Sequence, residues 1–262
     1  MDVVSILIAA GVVSIVGILA GILLGIASEK FKVEVDEKEV AVRELLPGNN
    51  CGGCGYPGCD GLAAAIAQGK AAPGACPVGG EETGKKIAEI VGGDASVIKM
   101  TAMVKCAGDC NKAKEAYEYT GPKDCNIAFN TPGNGYKACQ YGCMGFGSCR
   151  KVCEFNAIEI MDGIAVVDKE KCKACGKCVT ACPKKLIELI PYKAEAFVQC
   201  NSEDFGKDVK EVCAAGCIGC GICQKNCPKQ AITVDNHIAH IDYDKCTGCG
   251  ICKEKCPVKI IK

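Results

Sequence analysis

The chain has 262 residues, with 31 Lys+Arg against 31 Asp+Glu, so its formal net charge is +0 and no chain-wide basic field is available to hold nucleic acid. Only 5% is aromatic and Trp is absent, while 25 residues are Cys, a level at which disulfides or metal ligation must organise the fold. The only two His, His237 and His240, disfavour a mixed Cys/His zinc protein and leave all-thiolate sites as the leading chemistry.

In chain order, the first feature is a run without charge from Val3 to Ala27, rich in Ile, Val, Leu, Ala and Gly. As a helix it spans roughly 37 Å, enough to cross a hydrocarbon core of about 30 Å. It lacks a basic leader, and Ile26-Ala27-Ser28 is a poor cleavage site, so residues 1–28 are expected to be a retained transmembrane anchor. Lys30, Lys32, Lys38 and Arg43 follow it, which places the bulk of the chain on the cytoplasmic side. Gly17, Gly21 and Gly25 recur at every fourth position, the small-residue spacing that lets a second membrane helix approach.

Residues 29–48 mix charged and apolar positions and end at Pro47-Gly48, as a solvated connector does. A small helical domain is expected at 49–95, holding Cys51, Cys54, Cys59 and Cys76. The helix formers from Asp60 to Gly69 bridge its third and fourth cysteines. Gly79 to Lys86 resembles a phosphate-binding loop, but Lys86 stands where Ser or Thr should be and no strand precedes it, so it reads as a helix start. Residues 96–136 form a cysteine-containing linker region, 137–192 a first module, 193–212 an inter-module segment and 213–262 a second module.

The two modules are copies. The shift that lays Cys153 on Cys227 also lays Cys172 on Cys246, Cys175 on Cys249, Cys178 on Cys252 and Cys182 on Cys256. Between the Cys-rich loops each copy carries a hairpin pattern, such as Ile158 to Val167. Three runs, from Cys172, Cys217 and Cys246, read C-x2-C-x2-C-x3-C-P, the run that binds 4Fe-4S cubanes, with the fourth Cys reaching to the neighbouring cluster. Three ligands packed so closely along the chain suit a cubane corner better than one tetrahedral zinc ion, and cytosolic thiols do not persist as disulfides.

This rule groups Cys217, Cys220 and Cys223 with Cys256, Cys246, Cys249 and Cys252 with Cys227, and Cys172, Cys175 and Cys178 with Cys153. The remaining cluster of the first module is irregular, because Phe146 falls in register with Cys220; the spacing predicts that Cys139 supplies the missing ligand, beside Cys143, Cys149 and Cys182. Glu154, where the other runs have Pro, is a further departure. With the set at 51–76 this gives five clusters. Cys106, Cys110, Cys125, Cys200 and Cys213 remain, and they are read as the source of a sixth cluster nucleated by Cys106 and Cys110, rather than as buried free thiols. Spacing does not decide which four would hold it. The expected fold class is α+β: an N-terminal transmembrane helix, a small helical 4Fe-4S domain and two tandem bacterial ferredoxin-like modules.

The apolar N-terminus, the run Asn50-Cys51-Gly52-Gly53-Cys54-Gly55-Tyr56-Pro57-Gly58-Cys59 and the two modules resemble the B subunits of Rnf complexes over essentially the whole chain. Lys105-Cys106-Ala107-Gly108-Asp109-Cys110 and Tyr141-Gly142-Cys143-Met144-Gly145-Phe146-Gly147 resemble the long, cysteine-rich form of anaerobic bacteria. The resemblance implies a single-pass cell-membrane subunit of a ferredoxin:NAD oxidoreductase that drives outward movement of Na+ or H+. Its partners would be reduced ferredoxin and the other subunits, and its cofactors 4Fe-4S clusters. No G-x-G-x-x-G is present, so NAD chemistry is expected on another chain and no residue here is expected to be catalytic. Lys184, Lys185, Lys225, Lys229, Lys253 and Lys255 are expected to meet an acidic ferredoxin. The rival readings are a free-standing polyferredoxin and a thiol-rich metal store.

Overall fold

The computed structural model describes residues 3–30, 36–93, 95 and 98–262. Helix α1 (Val3–Lys30) is 28 residues long, and its described apolar side chains are exposed, Leu23 at 70% and Leu24 at 68%. The side chains of residues 3–10, 13, 28 and 29 lie outside the described set, as does Lys32. Among the described residues no helix is long and apolar enough to cross a membrane.

Three helices build the first cysteine domain: α2 (Glu37–Leu45), α3 (Gly58–Ala67) and α4 (Gly80–Val91). Asp36 caps α2 by accepting a hydrogen bond from Lys38 N at 2.9 Å. Asn50 does the same for α3 from a distance, its Oδ1 accepting from Cys59 N at 2.8 Å, which also fixes the loop before the helix. Val42, Leu62, Ile66 and Ile87 close over Cys59 and Cys76 in one core, each large aliphatic contributing about 1.5–3 kcal/mol by burial. Arg43 donates to Asp60 and ties α2 to α3. The helix expected from Asp60 is thus α3, and the Gly79–Lys86 run opens α4.

The first module contains β1 (Met100–Val104), α5 (Cys125–Phe129), a 3-10 turn at Pro132–Asn134, α6 (Ser148–Lys151), β2 (Ile158–Met161), β3 (Ile164–Val167), α7 (Lys177–Ala181) and β4 (Ile187–Pro191). The second contains α8 (Gly206–Val212), α9 (Ile222–Lys225), β5 (Ile232–Asp235), β6 (Ile238–Ile241) and α10 (Ile251–Lys255). The predicted hairpins form, with Ile158 opposite Val167 and Ile232 opposite Ile241. Their tight turns, Asp162-Gly163 and Asn236-His237, have positive φ at all four positions, as a type I′ turn requires. Gly145 and Gly219 pack against these turns. A Cβ there would lie 2.5 Å from Gly163 O and 2.7 Å from His237 O.

Each module pairs with the segment preceding it, the first through a strand and the second through a single bridge. β1 runs antiparallel to β4, with Val104 opposite Ile187. In the second module Val198 stands opposite Ile261, and Gln199 N donates to Ile260 O at 3.0 Å. Residues 100–104, expected in a linker, and 197–199, expected in an inter-module segment, are therefore edges of the modules. Their pairing partners lie far downstream, at the end of each module, beyond the reach of a local pattern.

Candidate metal centres

The Cys-rich loops turn on a glycine in the left-handed region just before each short helix: Gly147, Gly176, Gly221 and Gly250, with φ between 70° and 79°. That conformation, cheap only for glycine, bends the loop so that successive cysteines face one hollow. The helices carry the third cysteine of each run inward, so that Cys149, Cys178, Cys223 and Cys252 are all buried.

In the first module Cys153, Cys172, Cys175 and Cys178, grouped by their spacing, line one cavity with Phe155, Ile158 and Val167. Cys178 lies nearest Cys172, Cys175 and Cys153, and burial pushes its thiol up to about 12. Glu154, the departure from Pro, accepts from Lys177 and so braces the loop that carries Cys175 and Cys178.

The neighbouring cavity differs from expectation at one position. Cys143, Cys149 and Cys182 share it with Cys125, not with Cys139. Cys149 is surrounded by Cys143, Cys125 and Cys182, and burial raises it to about 12 and Cys143 to about 11. Cys125 is delivered by α5, which Asp124 caps through Asn126 N, while Ser148 Oγ accepts from Cys125 N at 2.9 Å. Phe146, in the register of the missing ligand, packs instead between Tyr119 and Tyr136, with centroids 5.3 and 5.4 Å away. Cys139 lines another cavity, with Cys106, Cys200 and Cys213.

In the second module Cys223 lies beside Cys217, Cys220 and Cys256, and Cys252 beside Cys246 and Cys249. Cys227 packs on the same core, its Sγ accepting from Ala231 N at 3.3 Å. In the helical domain Cys76 lies beside Cys54 and Cys59, and its Sγ accepts from Gly79 N at 3.3 Å. Cys51 reaches outward to Cys175. The two loops touch: a Cβ at Gly53 would lie 2.6 Å from Cys175 O. Cys110 is exposed.

The donor sets fit cubanes. Sets of four thiolates, with three of the four packed closely along the chain, suit a cubane corner better than a single tetrahedral zinc ion. A cubane places a different iron at each thiolate and keeps the four apart. Backbone amides already aim at the sulfurs: Ala102 N at Cys172 (3.3 Å), Ala157 N at Cys153 (3.4 Å) and Leu186 N at Cys182 (3.4 Å). Such bonds stabilise the electron-rich sulfur and tune cluster potential. The Nζ of Lys184 is enclosed with no hydrogen-bond partner, and Cys139, Cys143 and Cys106 are among the groups around it. Burial pushes the Lys184 amine down from its ordinary value, and the neighbouring sulfurs act in the opposite direction. Burial raises the thiols of Cys143, Cys149, Cys178 and Cys223 well above neutral pH, so loading these sulfurs with metal releases protons.

Comparison with known proteins supports 4Fe-4S clusters in this chain. An Fe-S cluster family matches residues 46–78, a 4Fe-4S binding domain residues 165–188 and a 4Fe-4S dicluster domain residues 216–260. The B subunit of the Na(+)-translocating ferredoxin:NAD(+) oxidoreductase complex of Acetobacterium woodii is 49% identical over 92% of this chain and 73% of its own length. The B subunit of the ion-translocating oxidoreductase complex of Methanosarcina acetivorans is 41% identical over 87% of each chain. That of the proton-translocating ferredoxin:NAD(+) oxidoreductase complex of Clostridium ljungdahlii is 39% identical over 88% of this chain and 82% of its own. With matches of this extent at both the domain and the whole-chain level, the chain belongs to the B-subunit family of the ion-translocating oxidoreductase (Rnf) complexes.

Proposed function

We propose that this chain is the iron-sulfur relay of an ion-translocating ferredoxin:NAD oxidoreductase complex, carrying electrons from reduced ferredoxin toward the other subunits. Each cluster, when bound, supplies a site that takes up and releases one electron. Five sets hold them: Cys51, Cys54, Cys59 and Cys76; Cys153, Cys172, Cys175 and Cys178; Cys125, Cys143, Cys149 and Cys182; Cys217, Cys220, Cys223 and Cys256; Cys227, Cys246, Cys249 and Cys252. The chain's own work is to pack most of these sulfurs into apolar cores, with Ile66, Ile158, Ile187, Ile232 and Ile238 among their members, and to direct backbone N–H groups at the sulfurs. The observation that carries the reading is the close approach of the Cys51–Cys54 loop to Cys175, which supports electron transfer between the helical domain and the first module.

The two ends of the chain suit different partners. Cys220 and Cys249 are exposed at the rim of the second module, beside exposed Lys225, Lys229, Lys253 and Lys255, a surface suited to an acidic ferredoxin. Lys185 is exposed as well, whereas Lys184 leaves the docking set because its Nζ is enclosed. The helical domain follows α1, whose uncharged run from Val3 to Ala27 supports a membrane anchor with Lys30 on the cytoplasmic side.

Detergent extraction of the membranes tests the assignment. The chain should copurify with integral-membrane redox subunits, and reduced ferredoxin should reduce it at a rate that falls as salt rises. Recovery as a lone soluble protein would favour the polyferredoxin reading and sink the complex assignment.

A further inference from the structure

We infer that Cys106, Cys139, Cys200 and Cys213 hold a sixth 4Fe-4S cluster, built half from each ferredoxin-like module, and that it is the junction through which electrons pass between them. This deepens the relay reading and rests on it.

The four cysteines are buried and line one cavity, together with Gly108, Gly142, Val209 and Gly216. Glycine keeps the sulfurs clear. A Cβ at Gly108 would stand 3.2 Å from Cys213 Sγ and 3.7 Å from Cys106 Sγ, and one at Gly142 would stand 3.5 Å from Cys139 Sγ.

The set has an internal logic that chance thiols would lack. Lys105 N donates to Leu186 O at 2.7 Å, and Gln199 N donates to Ile260 O at 3.0 Å; Leu186 and Ile260 are related by the internal repeat. Lys105 and Gln199 are therefore structural equivalents, and so are the residues after them, Cys106 and Cys200. Cys139 and Cys213 are equivalents under the same repeat. The site thus consists of two like pairs, one pair per module. The halves are joined by backbone hydrogen bonds, Lys114 N to Val212 O at 2.9 Å and Ala214 N to Lys112 O at 2.8 Å.

Two lysines close the site. The Nζ of Lys184 is enclosed, with Cys139 and Cys106 among its neighbours. Lys137, only 3% exposed, donates to Gly108 O and Gly163 O at 2.9 Å.

The position is that of a junction. Cys106 Sγ accepts from Cys143 N at 3.3 Å, which links it directly to a ligand of the first module's cluster. Cys200 lies beside Cys217, a ligand position of the second module's cluster. A one-electron step here oxidises one cluster and reduces the next, with reduced ferredoxin as the reductant and no bond made or broken.

The test is native mass spectrometry with iron and sulfide analysis of the full chain purified without oxygen. The expected result is about 24 iron and 24 sulfide per chain, four per cubane. Cys106→Ala/Cys200→Ala should lose about four of each and one reducible signal in electron paramagnetic resonance, while Cys110→Ala loses none. In that double variant ferredoxin should still reduce the second module's signals but reduce the first module's far more slowly. About 20 iron in the wild-type chain with ferredoxin reduction intact overturns the sixth cluster and leaves the relay standing. So does a single zinc, or a disulfide, at these cysteines. Clusters that ferredoxin never reduces, at whatever iron count, overturn the relay reading itself. Because the wild-type count decides the matter, a variant that fails to fold does not shelter the proposal.

Discussion

The two ferredoxin-like modules share a hairpin, a pairing with the segment before them and Cys-lined hollows, but they line one hollow differently. In the second module the run Cys217, Cys220, Cys223 is complete, and Cys213 follows closely on Cys200. In the first, Phe146 replaces the middle cysteine and a much longer stretch separates Cys106 from Cys139. The extra chain carries α5, and α5 brings Cys125 to the hollow that Phe146 cannot serve. A ligand position is thus defined by the hollow rather than by the run, and an insertion can refill it from outside.

The largest expected effect tests that replacement. Cys125→Ala should remove one whole cluster from the first module, about four iron per chain, with the second module's signals unchanged. Cys139→Ala should leave the Cys143–Cys149 cluster intact. If Cys139→Ala removes that cluster and Cys125→Ala does not, the refilled-hollow account fails.

Next come the equivalent glycines. Gly145→Ala and Gly219→Ala each drive a methyl into the hairpin turn at a positive φ, 74° and 61°. Each should destabilise its own module by on the order of 2–4 kcal/mol in denaturant unfolding. Strongly unequal losses would show that the modules are less alike than their turns suggest.

Gly53→Ala should cost less, about 1–3 kcal/mol from overpacking, because the loop has freedom to lift away. Its signature is slower electron transfer between the helical domain and the first module, with the iron count unchanged. Transfer at the wild-type rate would show that the contact is incidental.

The smallest effect concerns Asp168 and Asp242, equivalents that hold the loops before Cys172 and Cys246. Backbone N–H of Glu170 lowers the Asp168 carboxyl, and Lys245 lowers that of Asp242. A carboxyl depressed in the folded state contributes stability above its unfolded value and loses it only as pH falls through the lower folded one. Between about pH 5 and 8, Asp168→Asn and Asp242→Asn should therefore lie below wild type in thermal midpoint by a gap that does not vary with pH. A gap that opens or closes within that window would contradict the assignment.

Local signals make much of this legible in the sequence. The hairpins follow from alternation and turn residues, α3 from its helix formers, and three ligand sets from the C-x2-C-x2-C-x3-C run. Cys125 is hidden because its partners Cys143, Cys149 and Cys182 all lie well downstream, and α5 places it through Asp124 and Ser148, not through a motif. Cys106 and Cys200 are hidden for another reason. The insertion between Cys106 and Cys139 throws them out of the register that relates the rest of the two modules. The pairing of Cys139 with Cys213 is visible in the repeat, and treating the two alike keeps Cys139 out of the Cys143 set.

The hydrogen bonds joining residues 112–114 to 212–214 also have a consequence in time. During synthesis the first stretch emerges roughly 100 residues before its partner, about 5–20 s at ordinary elongation rates. For that interval its backbone groups form an open edge, the kind that captures other chains. Cells making this protein should therefore be most vulnerable to its misassembly before the second module leaves the ribosome, and a truncation after Lys193 should aggregate rather than yield half a wire.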